Sequence, residues 1–99
     1  MNMQAMLMQA QKIQRELQKA KNELAQKEFV IEKGGAVKVT VLGDKTIKAV
    51  NIEEIALKED KDMVQDMIVL AINEAFATIK EAEEEINLRI TGRKEGLGM

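Results

Sequence analysis

The chain is 99 residues long, 45% apolar and 32% charged, with a net charge of −2, which fits one folded domain and excludes a disordered chain. Cysteine, histidine, serine, tyrosine and tryptophan are absent, so disulfides and thiolate metal sites are excluded and most general bases and nucleophiles are missing; no enzyme, cofactor or small-molecule substrate is expected. No apolar run approaches the ~18 residues of a membrane span and no signal-peptide pattern opens the chain, so no membrane partner is expected and a cytoplasmic setting suits it.

The first element is a helix over Met3–Gln26, rich in Gln, Ala, Met, Leu, Lys and Glu and free of Gly and Pro. Its apolar residues at 3, 6, 10, 13, 17, 20 and 24 step by 3 and 4 throughout, a narrow seam of coiled-coil type with Met3, Ala10, Leu17 and Leu24 at a and Met6, Ile13 and Ala20 at d. A short β-favouring run, Phe29–Lys33, comes next. Gly34-Gly35 reads as a hairpin turn, because paired glycines accept positive φ. Ala36–Leu42 alternates, with Val37, Val39 and Val41 on one face. Gly43-Asp44-Lys45 is a second turn and Thr46–Ile52 a third strand. The apolar parity changes between Ala49 and Val50, which predicts a bulge there or burial of both faces. Glu53–Leu57 reads as a linker. A second long helix is expected to begin near Lys58 to Asp60, with acids at its N-terminus to suit the helix dipole, and to stop before Gly92.

The fold class is therefore α+β: α-β-β-β-α, with a three-stranded antiparallel meander between long N- and C-terminal helices. Residues 1–92 are expected to form the single α-β(3)-α domain and 93–99 a flexible Gly-rich tail. Helices of about 24 and 30 residues span roughly 36 and 45 Å. A compact chain of this length has a radius of gyration near 13 Å, so part of an apolar stripe overhangs the sheet and needs a cover. A second copy of the chain, as a homodimer, is the simplest one.

Charge is distributed unevenly. Residues 1–27 carry +3 and residues 58–90 carry −5. Lys12 and Lys19 fall at c and Arg15 at f, opposite the seam. Asn22 and Gln26 extend that row with neutral polar groups, while Glu16 and Glu23 fall at g beside the seam. The row reads either as a solvated face or as a set of phosphate contacts, and no aromatic residue is interleaved for base stacking. The early methionines suit core filling. Glu81, Glu83, Glu84 and Glu85 read as a solvated helix face, since no calcium-loop geometry accompanies them. Gly43-Asp-Lys-Thr46 lacks the upstream glycine and context of a phosphate loop.

Met1-Asn-Met-Gln, Gln9-Ala-Gln-Lys12, Gly34-Gly35 before Val37-Lys-Val39, Val50-Asn-Ile-Glu53, and Met67-Ile68 with Ala71, Asn73 and Ala75 together resemble the YbaB/EbfC family of bacterial nucleoid-associated proteins. Where family members carry Asp-Pro ahead of the second helix, Lys58-Glu59 stands here. The resemblance covers about residues 1–92. It implies a tweezer-like homodimer that binds duplex DNA in the nucleoid, with nucleoid organisation and gene regulation as outcomes. The family has no base-reading motif to transfer. The DNA-contact candidates are therefore Lys12, Arg15 and Lys19 from the helical geometry, with Lys21 and Asn22 beside them. The competing expectation is a prefoldin-like protein-binding adaptor or chaperone whose helical tips hold clients.

Overall fold

The computed structural model describes residues 2–93. The elements run α1 (Met3–Gln26), β1 (Glu28–Lys33), β2 (Val37–Leu42), β3 (Ile47–Ile52), α2 (Glu54–Glu59) and α3 (Lys61–Thr91). The three strands form one antiparallel sheet in the order β1-β2-β3. The molecule is elongated, 69 × 19 × 17 Å, with a radius of gyration of 18.8 Å. Two helices longer than the sheet force that shape. The expected tail at 93–99 lies, beyond Arg93, outside the described residues.

α1 has the bounds its sequence predicts. Asn2 caps it, its side-chain oxygen accepting from the N–H of Gln4 at 2.9 Å. Gly34 and Gly35 turn β1 into β2 with φ of +58° and +66°. The second turn closes with the N–H of Lys45 donating to the carbonyl of Leu42. Lys45 itself takes the left-handed conformation, φ +71°.

Two expectations need correction. The bulge falls at Lys48, two residues earlier than the parity change suggests: Thr40 faces Ala49 but Val41 faces Ile47. The extra residue returns Ile47 to the face that carries Val50 and Ile52, so all three lie on the side of Val37, Val39 and Val41. The expected linker is also largely helical, because Glu54–Glu59 forms α2. With no proline in the chain to restrict the backbone, the helix runs through Lys58 and stops at Asp60. Asp60 (φ −152°, ψ 76°) ends α2 and caps α3, its carboxylate accepting from the N–H of Met63 at 3.1 Å. Gly92 closes α3 at φ +77°.

α3 lies across β1 and β2 on one face of the sheet. Val37, Val39 and Val41 meet Val64, Ala71, Ala75 and Ile79 in the core, with Leu24 and Phe29 at its margin. Ala71 and Ala75 are fully buried, and their small side chains let the helix backbone settle close to the sheet. The other face carries Glu28, Glu32, Lys38 and Lys48 at solvent, with Lys48 paired to Glu28 at 2.6 Å. β3 is an edge strand that α3 leaves largely uncovered. Ile47, Val50 and Ile52 keep 44, 40 and 36% of their surface.

Candidate nucleic-acid interface

The α1 seam is used in two ways. Leu17, Ala20 and Leu24 are buried where α1 runs antiparallel against the C-terminal half of α3. Leu24 sits beside Ala82 and Ile86, and Ala20 beside Arg89 and Ile90. α3 stops at Thr91, level with Glu16. Residues 2–12 are all exposed and Ile13 is half-buried. About 14 residues of α1, roughly 21 Å, therefore project past the body as an arm. A free helix that short is marginal in water; this one continues a packed helix, so its nucleus is already formed.

Lys12, Arg15 and Lys19 are exposed along the outer side of α1, and Asn22 continues the line. At about 100° per residue the row stands opposite the buried seam. Lys12 to Lys19 covers roughly 10 Å along the axis. Lys21 is exposed too but lies about 200° around the helix from Lys19, one turn beyond Leu17 and beside the seam. The structure thus aligns Lys12, Arg15, Lys19 and Asn22 and leaves Lys21 off that line.

Among the described residues, Lys33, Lys45, Lys48 and Lys58 each pair with a glutamate. Lys27 stands 5.3 Å over the ring of Phe29. Lys12, Arg15, Lys19 and Lys21 form no ion pair among those residues. The acids of α3 lie on the seam side of α1 or farther along the body, and Glu16 and Glu23 flank the row without forming an ion pair to it.

Arg89 is the residue that sequence reasoning missed. In the last turn of α3 a cation reads simply as a complement to the helix dipole. Tertiary packing sets it with Glu16, Lys19, Ala20 and Glu23 around a shallow groove of about 310 Å³. No sequence signal predicts that neighbour, because it depends on how α1 crosses α3. None of the described helices is long and apolar enough to cross a membrane.

Comparison with known proteins agrees with this architecture. A solved structure of an uncharacterized Helicobacter pylori protein superposes with a TM-score of 0.76 at 18% identity, covering 90% of this chain and 96% of that one; this likeness concerns the fold. A nucleoid-associated protein of Metamycoplasma arthritidis is 41% identical over 87 residues, 87% of this chain and 90% of the relative. Another, from Psychrobacter arcticus, is 36% identical across the whole chain and 93% of its own length. The sequence model of the YbaB/EbfC DNA-binding family matches residues 1–94. The chain belongs to the YbaB/EbfC DNA-binding family, a family of nucleoid-associated proteins and not of enzymes.

Proposed function

We propose that the protein acts in the nucleoid as a homodimer that binds duplex DNA mainly through phosphates, with little sequence preference, and so shapes DNA and influences gene expression. Residues 1–92 are the working domain in this reading. The observation that carries it is the unpaired basic row of Lys12, Arg15 and Lys19 on the outer face of a helix that projects from the body. Asn22 extends the row as a neutral hydrogen-bonding group. Lys21 reaches DNA only if the duplex also wraps the arm's flank. Phosphate contacts of this kind position a duplex without reading it.

A second copy of the chain is the occupant proposed for the uncovered side of β3. Ile47, Val50 and Ile52 form an apolar strip on an open sheet edge, a combination that monomers avoid. A two-fold pair would close that edge and present the basic row twice.

The test is a band-shift series on random-sequence duplex across salt. Six phosphate contacts, three per protomer, give a logarithmic slope of roughly −5. Affinity that ignores salt, or that survives charge reversal at Lys12, Arg15 and Lys19 together, overturns the assignment.

A further inference from the structure

We infer that the apolar stripe of the α1 arm is a contact site for the same stripe on another copy of the chain, packed antiparallel, and that this contact links molecules already bound to DNA. The arm carries the first half of a seam whose second half is packed. Leu17, Ala20 and Leu24 are covered by α3, whereas Met3 and Met6 keep 84 and 52% of their surface. Among the described residues the cover ends with α3 at Thr91; the seam pattern does not. Among those residues, a surface patterned for a helix is thus left without one from Met3 to Lys12, roughly 15 Å.

The arm is complementary to itself. An antiparallel two-fold places Met3 against Ile13 and Met6 against Ala10, each layer repeated by symmetry. The long Met6 side chain meets the small Ala10, which suits close packing. The flanking positions carry Asn2, Leu7, Gln9, Gln14 and Glu16, and the antiparallel register sets Glu16 against Asn2, so no like charges meet beside the seam. A parallel arrangement sets the two bodies side by side. They are 17–19 Å across, whereas packed helices approach to about 8–10 Å. An antiparallel arrangement puts the bodies at opposite ends. It also leaves Lys12 and Arg15 facing outward on both arms, still open to phosphates.

A contact this short is smaller than the roughly 1,200 Å² of a stable interface, so it is weak between free molecules. Where neighbouring copies are held on DNA, their effective concentration rises and weak contacts add. The inference rests on the DNA-binding reading only for that strengthening.

The chain has no cysteine, so introduced thiols report unambiguously. Met6→Cys and Ala10→Cys are made as separate proteins and oxidised mildly, alone and mixed, on random duplex DNA and again in concentrated DNA-free solution. The expected result is a cross-link that forms in the mixture and in neither protein alone. Cross-links within each single variant indicate parallel arms, and no cross-link under either condition indicates unpaired arms; each overturns the inference. The solution series decides the matter even if the protein proves not to bind DNA. A second measurement uses Met6→Glu/Ile13→Glu. Bead-bound duplex coated with wild-type protein should capture a second, labelled duplex; the variant should lose that capture while its salt slope on single duplexes is unchanged. Equal capture by the variant overturns the linking role.

Discussion

Gly43 lies directly against the main-chain carbonyl of Leu24: a β-carbon at Gly43 would overlap that oxygen and stand 2.5 Å from its carbon. The contact sits in a small network. The N–H of Gly43 donates to the carbonyl of Lys27 at 2.9 Å, and that of Asp44 to the carbonyl of Ala25 at 3.3 Å. The β2–β3 turn therefore clamps the C-terminal end of α1, and the clamp sets the direction in which the arm leaves the body.

Gly43→Ala is expected to destabilise the fold by about 2 kcal/mol, the usual scale for forcing atoms into a packed site. The obstacle is backbone, which cannot rotate aside as a side chain can. Chemical denaturation reads the loss. An unchanged midpoint would mean that the turn shifts freely and does not hold the arm.

The core makes a second test. Ile79 is fully buried among the valines of β2 and the alanines of α3. Ile79→Ala should cost about 3 kcal/mol through lost transfer energy and an unfilled cavity. Thermal melting of the two proteins provides the comparison.

The basic row predicts a graded response to salt. If Arg15 holds one phosphate in each protomer of the proposed dimer, Arg15→Gln should make the logarithmic slope shallower by roughly 2. Lys21→Gln should leave the slope unchanged, because Lys21 is off the row. Equal effects from the two variants would mean that DNA surrounds the arm instead of lying along one side.

The uncovered sheet edge predicts oligomeric state. Val50→Asp places a charge in the middle of the apolar strip without touching α3's core contacts. On the proposed dimer, sedimentation velocity should show the unsubstituted chain as a dimer and the variant as a monomer, with far-ultraviolet dichroism unchanged. A variant that remains dimeric would locate the interface elsewhere.

Asp44 gives the acid limb a specific contributor. Its carboxylate accepts hydrogen bonds from the hydroxyl and the N–H of Thr46, the latter at 2.9 Å, and these hold its pKa below the ordinary 3.8. A carboxyl lowered on folding stabilises above its unfolded value and loses that contribution as pH falls through the lowered one. Asp44→Asn should therefore lower stability near neutrality, where the ionised carboxylate contributes, and flatten the profile below about pH 4, where the unsubstituted protein loses that contribution. Urea titrations at several pH values from acid to neutral measure this.

The local elements of this protein were legible because local chemistry decides them. Unbroken 3,4 spacing gave α1 its length, Gly34-Gly35 supplied two positive φ angles, and Gly92 supplied the left-handed stop. The outer position of Lys12, Arg15 and Lys19 follows from helical period alone. Which half of the α1 seam is buried does not: that depends on where α3 ends beside it, a contact between residues some 70 positions apart. The bulge at Lys48 and the placement of Arg89 beside the base of the arm have the same origin. Strand register answers to the neighbouring strand, and a helix neighbour answers to packing angle. The amino-acid pattern thus determined the pieces and the polarity of each face. Only the tertiary structure, by clamping α1 at Gly43 and ending α3 at Thr91, decided that one stretch of an unbroken helix is core and the other an exposed arm.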